Sequence, residues 1–222
     1  MKYLCMIPAR LGSQRLKKKN LLILDGKTLI EHAIDKAKST KMFDEIWVNS
    51  ESELIGSIAL NNGIGFHQRP DELANNVATS EDFIYEFLKK HECEFVIQLH
   101  SIAPLITSKD IINFLNYLDI NNFDVLLGVE NIQLECLFNN NPINFNFLTK
   151  TNSQDLSPVQ KICWSISAWR RTTYIEAYEN KKCATFSGKV GSFPLNKLAS
   201  HVIKTEQDFQ IAVALHNISN AL

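Results

Sequence analysis

Tyr3-Leu4-Cys5-Met6-Ile7 runs into Pro8-Ala9-Arg10-Leu11-Gly12-Ser13-Gln14-Arg15 and closes on Lys17-Lys18-Lys19-Asn20. Consecutive apolar residues halted by a proline read as a short buried strand, and the residues after the proline read as a small-residue loop carrying cations. Such a loop suits a polyphosphate. Gly12 lets the backbone approach an anion, successive amide hydrogens cradle phosphate oxygens, and Arg or Lys offsets the charge. No Lys-Ser/Thr pair comes after the glycine, so the loop is not a P-loop, and it lacks the G-x-G-x-x-G fingerprint of dinucleotide folds.

Outward from this stretch, short apolar runs alternate with amphipathic ones. Leu29-Ile30, Ala33-Ile34 and Ala37 recur at helical spacing, and Glu45-Ile46-Trp47-Val48-Asn49 is the next strand. Leu54-Ile55 and Ile58-Ala59 predict a helix ending near Asn62-Gly63, where glycine supplies a left-handed cap. Gly65-Phe66-His67 is a brief strand, and Thr79-Ser80, with Asp82 close behind, caps a helix through Phe83, Ile84, Phe87 and Leu88. Phe95 to Leu99 is a buried strand, Ser108 opens another helix, and residues 123–129 complete the pattern. This alternation predicts an α/β fold with a mostly parallel sheet covered on both faces, whose ligands bind beyond the carboxyl ends of the strands. Residues 131–161 break the pattern. They are rich in Asn, with Asn139 to Asn141, Asn144 and Asn146 among Phe and Leu, and read as an excursion from the sheet, two extended strands that pair with a partner subunit.

At 222 residues the chain fits one domain with such an excursion, spanning 1–222. Its formal net charge of -1 argues against a nucleic-acid partner, so any anion binding is local. Cys5, Cys93, Cys136, Cys163 and Cys183 are odd in number and never in C-x-x-C spacing, and the first residues carry no leader pattern; both predict free thiols in the cytoplasm. No apolar run approaches the roughly 20 residues of a membrane span, and the histidines show no zinc-ligand spacing.

The segment Ile7-Pro8-Ala9-Arg10-x-Gly12-Ser13-x-Arg15-x-x-x-Lys19-Asn20 resembles the opening signature of the cytidylyltransferases that activate sialic, pseudaminic, legionaminic, octulosonate and related 3-deoxy-sugar acids as CMP conjugates. The resemblance implies a Rossmann-like, three-layer fold of the nucleotide-diphospho-sugar transferase type, with CTP and a sugar acid as substrates. It implies that the loop wraps the triphosphate. Arg10 and Asn20 would contact the cytosine or ribose; Leu11, Gly12 and Ser13 the nucleotide and its phosphates; and Lys19 and Arg15 would act on the triphosphate as the catalytic cations. Gln14 stands where the family usually has Lys. Val48-Asn49-Ser50-Glu51 resembles the family's Val-Ser-Thr-Asp, and Arg69-Pro70-x-Glu72-Leu73, followed by Thr79-Ser80, resembles the segment from which Arg69 and Ser80 would reach the nucleotide.

Gln98-Leu99-His100-Ser101-Ile102-Ala103-Pro104-Leu105 takes the place of the loop that floors the family's sugar-acid site, so Gln98, His100 and Ser101 are candidate acceptor contacts. His100 has the pKa class of a general base, although a strand-end histidine is commonly a plain hydrogen-bonding residue. Ser153-Gln154-Asp155-Leu156 resembles the segment before the last strands, and Trp164-Ser165-Ile166-Ser167-Ala168-Trp169 alternates as a half-buried strand with its aromatics in the core. Lys161, Arg170 and Arg171 are candidates for the sugar carboxylate. By the same resemblance the excursion builds a homodimer.

Near the C-terminus the family usually reads Asp-x-Asp-Thr-x-x-Asp or Ile-Asp-Thr-x-x-Asp, with Mg2+ held ahead of the threonine. Here the chain reads Val202-Ile203-Lys204-Thr205-Glu206-Gln207-Asp208. Mg2+ remains the implied cofactor, with Asp208 the candidate ligand and Glu51 or Glu206 as displaced acids; alternatively Lys204 supplies part of the metal's charge, or the chain is a silent homologue that binds nucleotide or sugar acid as a sensor or partner subunit.

Overall fold

Burial along its whole length makes β1 (Tyr3–Pro8) an interior strand, as its unbroken apolar run requires. The computed structural model describes residues 2–13 and 15–221. After the loop come the two-residue strands β2 (Ile23–Leu24) and β3 (Lys27–Thr28), which pair as a hairpin. Helix α1 (Leu29–Thr40) starts at a capping box in which Thr28 accepts the Glu31 amide and Glu31 accepts the Thr28 amide. Its Leu29, Ile30, Ala33, Ile34 and Ala37 are buried, the face foreseen from their spacing.

Strand β4 (Glu45–Ser50), helix α2 (Glu53–Asn61) and strand β5 (Gly65–Gln68) are next in the chain. Gly63 takes φ +67° just past α2, the left-handed conformation that asks for glycine. Helix α3 (Ser80–Lys90) is capped by Thr79, whose amide and hydroxyl both reach Asp82. Beyond β6 (Phe95–Leu99), helix α4 (Ser108–Asn121) is capped by Thr107 and Asp110; Ser108 is its first residue rather than its cap. Then come β7 (Val125–Ile132), the short hairpin β8 (Leu137–Phe138) and β9 (Asn141–Pro142), β10 (Val159–Arg170), α5 (Arg171–Glu179), β11 (Val190–Pro194) and α6 (Glu206–Ala221).

Among the described residues, seven strands form one sheet in the order β11-β7-β10-β6-β1-β4-β5. Every pairing is parallel except those of β10, which runs antiparallel to β6 and β7. The chain moves outward from β1 through β4 to β5 and then returns to the other side of β1 at β6. That reversal is the topological switch point, where the loops leaving β1 and β6 diverge and open a crevice.

Helices α1, α2 and α4 cover one face of the sheet, burying Ile34, Ile55, Phe114 and Leu118 against Cys5, Ile7, Val48 and Ile97. Helices α3 and α5 cover the other, where Ile84, Phe87, Leu88 and Tyr174 meet Leu4, Met6, Val96 and Trp169. A third, smaller cluster joins Leu16, Leu22 and Leu24 of the first loop to Ile203, Phe209 and Ala212.

Burial on both faces corrects the reading of β10. Ser165 and Ser167 are as buried as Ile166 and Ala168, because β10 lies inside a covered sheet, whereas Trp164 is only half-buried. Trp164 sits at φ +60° where the pairing of β10 with β7 shifts register between Ile162 and Ser167, a bulge that bends the strand. Residues 133–158 hold the β8–β9 hairpin and one 3-10 turn at Ser153–Asp155, with Leu134, Phe138, Phe147 and Leu148 exposed. Among the described residues no helix is long and apolar enough to cross a membrane.

Candidate functional site

The loops at the switch point are tied together by one buried amide. Asn20 donates from Nδ2 to the Arg10 carbonyl at 3.0 Å and accepts at Oδ1 from the Ser101 hydroxyl at 2.9 Å, joining the loop after β1 to the loop after β6. Leu11 donates its amide to Glu51 Oε1 at 2.7 Å, which fastens the same loop to the end of β4. Arg10 Nη1 reaches the Asn75 carbonyl and Asn76 Oδ1, drawing in the segment before α3. Asn20, Ser101, Leu11 and Arg10 therefore build the crevice, which Arg10 and Asn20 also line, through bonds between residues far apart in the sequence.

Arg69 comes directly after β5 and is buried, 3% exposed. Nε donates to Asn49 Oδ1 at 2.6 Å and Nη2 to the Asn49 carbonyl at 2.8 Å, while the guanidinium lies 4.2 Å from the centre of the Phe83 ring. Two donors and one face are thus fixed by protein, a geometry that suits a planar guanidinium better than a lysine. Asn49 and Phe83, which hold Arg69, are positions that the sequence reading left without a role. The signal existed only as a polar residue at the end of a buried strand.

A cavity of about 200 Å³ opens in this crevice, with Arg10, Ser13, Arg15, Lys19, Arg69 and His100 among its lining. Among the described lining residues the cations meet no carboxylate. Burial first, and then the like charges of Arg15, Arg10 and Lys204 against Asp208, push the Lys19 ammonium down to about 8. Burial, with Lys19 and Arg69 adding to it, holds His100 down to about 4, so at neutral pH it is an uncharged hydrogen-bonding ring rather than a strong base. Gly12 is exposed, and a side chain there would meet no protein atom within 4 Å; nothing inside the chain asks for glycine, which leaves the backbone open to a ligand. Gln14 lies outside the described residues.

Other candidates sit elsewhere. Ser80 is exposed at the first turn of α3, outside the cavity lining. Gln98 is 2% exposed and its Nε2 has no hydrogen-bond partner among the described residues; it faces Ser167 across the β6–β10 pairing. Lys161 lines a second cavity and pairs with Glu130 at 2.5 Å. Arg170 and Arg171 do not join it. Because β10 runs antiparallel, its end lies beside the start of β6, where Arg170 pairs with Asp124 and Glu94 and Arg171 with Glu92. A further cavity of about 380 Å³ by the start of β4 sets Lys38 against Asp44 and Glu45, so it has no convergence of one charge.

A protein-held magnesium fits the donor set poorly. Asp208 Oδ2 already accepts the amides of Lys204 and Thr205 and the Thr205 hydroxyl, which makes it the capping carboxylate of α6. Lys204 stands next to it, and a lysine ammonium repels a cation that wants carboxylate and phosphate oxygens. Among the described residues no group of three or more His, Cys, Asp or Glu is placed to hold a metal ion.

The family described as Cytidylyltransferase matches residues 4–217. The N-acylneuraminate cytidylyltransferase of Streptococcus agalactiae is 30% identical over 94% of this chain and 52% of its own length. The pseudaminic acid cytidylyltransferase of Campylobacter jejuni is 34% identical over 50% of each chain. The chain spans about half the length of these curated relatives. A solved CMP:2-keto-3-deoxy-manno-octonic acid synthetase, complexed with CTP, shares the fold with a TM-score of 0.75 at 18% identity, covering 99% of this chain and 100% of that one.

Proposed function

The chain belongs to the cytidylyltransferase family, and on that premise we propose that it transfers CMP from CTP to a nonulosonic-type, sialic-like 3-deoxy sugar acid and releases pyrophosphate. The observation that carries this reading is the convergence of Arg10, Arg15, Lys19 and Arg69 on one crevice at the switch point, with no carboxylate among its described lining residues. A quadruply charged triphosphate is the kind of anion such a crevice compensates.

The reaction is a displacement at phosphorus. A hydroxyl of the sugar acid attacks the α-phosphorus of CTP and gives up its proton to solvent, the bond to the oxygen bridging the α- and β-phosphates breaks, and pyrophosphate carries away the electron pair. The protein's share is alignment and charge compensation. Lys19 and Arg15 face the triphosphate, Ser13 and the Gly12 amide its oxygens, and Arg69 offers the remaining edge of a guanidinium held by Asn49. Arg10 and Asn20 keep the loop shut around the nucleoside. The acceptor would lie toward His100 and Lys161, with Gln98 buried beneath, and a neutral His100 would give hydrogen bonds to hydroxyl or N-acyl groups. The relatives named for N-acylneuraminate and pseudaminic acid support that acceptor class.

Exposed Phe138, Phe147 and Leu148 on the excursion support a homodimer, and free cysteines throughout support a cytoplasmic setting. A second reading, a silent homologue that binds without turnover, is favoured by Lys204 standing where the resemblance expects an acid. Two measurements test the proposal. Calorimetric titration should show CTP bound in preference to ATP, GTP and UTP, and pyrophosphate should then be released on adding N-acylneuraminate or pseudaminate. CTP binding without release favours the silent reading; no preference for CTP overturns both.

A further inference from the structure

A second cavity, of about 470 Å³, is lined by Glu130, Lys161, Lys197, His201, Lys204 and Asp208 among others. Its carboxylates are engaged. Glu130 pairs with Lys161, and Asp208 Oδ2 is taken up by the cap of α6, while the Asp208 carbonyl is bonded to His201 Nε2 at 2.8 Å. Neither Lys197 nor Lys204 forms an ion pair among the described residues. Positive charge is therefore left over on this wall.

That wall is fixed against the first loop. Ile203 donates its amide to the Ile102 carbonyl at 2.8 Å, and Ile203 packs in the small apolar cluster that holds Leu16, Leu22 and Leu24. The next residue is Lys204, whose backbone amide is pinned by Asp208 at 2.9 Å. Ile102 lines the first cavity, so its bond to Ile203 sets Lys204, on the wall of the second, beside the first, and the Lys204 charge adds to those that hold the Lys19 ammonium down. Arg15, Arg10 and Lys204 outweigh Asp208 around Lys19, which costs free energy in the empty protein, and an anion placed among them recovers it.

We propose that Lys204 is a polyphosphate-binding residue of this chain, whose ammonium works with that of Lys19 to hold the distal phosphates of CTP, so that nucleotide binding needs no protein-held divalent cation. The inference rests on the reading of the crevice as a CTP site. Chemically the exchange is sound: an ammonium carries three donors for non-bridging phosphate oxygens, and it neutralises charge where the carboxylates needed to seat a magnesium ion are missing or already bonded.

The test is calorimetric titration of CTP and of CMP into the wild-type chain, Lys204→Ala, Lys204→Arg and Lys204→Asp, each with Mg2+ and with EDTA. The wild type should bind CTP in EDTA within about threefold of its affinity in Mg2+. Lys204→Ala should weaken CTP about tenfold in EDTA and leave CMP unchanged, since one charge-assisted contact to a distal phosphate is removed. Lys204→Arg should restore CTP binding, and Lys204→Asp should weaken it further in EDTA and regain it with Mg2+. Because Lys204 is exposed and its cap bonds are made by the backbone, the variants should melt with the wild type. If CMP binds selectively over AMP but Lys204→Ala leaves CTP in EDTA unchanged, or if the wild type gains affinity for CTP over CMP only with Mg2+, the Lys204 inference falls while the nucleotide reading stands. If neither CTP nor CMP is preferred over ATP and AMP, the nucleotide reading falls and takes the inference with it.

Discussion

The loop wall at residues 8–20 and the excursion at 133–158 are both irregular segments leaving a strand of the same sheet, yet they meet opposite fates. The first is stitched inward: Asn20 is 6% exposed, Leu11 is tied to Glu51, and Leu16 packs beside Ile203. The second leaves Phe147 70% and Leu148 95% exposed, and its hydrogen bonds are mostly local, such as Asn146 Oδ1 with the amides of Leu148 and Thr149. A loop held by buried, long-range polar bonds can position charges to the tolerance catalysis needs, and one held by its own turns cannot. What the excursion has instead is apolar surface.

Removing a charge from the stitched wall should have the largest effect. Lys19→Ala should lower the rate of pyrophosphate release by about 100-fold or more, the usual cost of losing one pre-placed charge-stabilising donor. Its melting temperature should stay level or rise, because the lost ammonium is crowded by Arg15, Arg10 and Lys204. Full activity in this variant would break the assignment of the wall to the triphosphate.

The support beneath the wall comes next. Asn49→Ala strips a buried guanidinium of its 2.6 Å acceptor and should destabilise the chain by about 2 kcal/mol, the range for a charged group left short of a hydrogen bond. Urea unfolding measures it. A change under about 0.5 kcal/mol, the noise level of ordinary surface substitutions, would mean that the Asn49 carbonyl and Phe83 suffice to hold Arg69.

A pH titration sharpens the same contrast, since burial has shifted a lysine in the wall. The Lys19 pKa of about 8 is lowered from the ordinary 10.5, so between those values the unfolded chain holds a proton that the empty folded chain has given up, and this residue's contribution makes stability rise with pH across that window. A bound anion reverses the sign by favouring the ammonium. CTP affinity should be full well below pH 8 and fall as pH rises from about 8 toward 10.5, with proton uptake on binding, read by calorimetry in buffers of different ionisation enthalpy. Constant affinity up to the top of that range would place the triphosphate away from Lys19.

Legibility in the chain divides along the same line. Buried strands β1 and β6 and the Thr79–Asp82 cap were readable, because an apolar run and a short-range cap are properties of neighbouring residues. The cations at 10, 15, 19 and 69 were readable as residues, but their convergence depends on the strand order that brings β5, β1 and β6 together. Arg170 and Arg171 misled because nothing local says that β10 runs against its neighbours, which carries its last residues to the far end of the sheet. Asn20 with Ser101 was invisible as a pair, being 81 residues apart, although each was singled out alone. The burial of Ser165 and Ser167 was hidden by an alternation that imitates a one-sided strand.

The smallest effect on folding should come from the excursion, and it separates the two segments most cleanly. Phe147→Ser and Leu148→Ser remove large side chains that touch little of the chain's own core, so in the isolated protomer each should change unfolding free energy by less than about 0.5 kcal/mol. If that apolar surface is covered by a second copy of the chain, the double variant should nonetheless shift a concentration-dependent dimer toward monomer in sedimentation, because interface affinity depends on a few large side chains near the centre of the contact. Loss of stability without any change in association would mean that the excursion folds back onto its own protomer. An unchanged dimer of unchanged stability would leave these side chains outside the contact and move the search to Phe138 and Leu134, which stand exposed on the same segment.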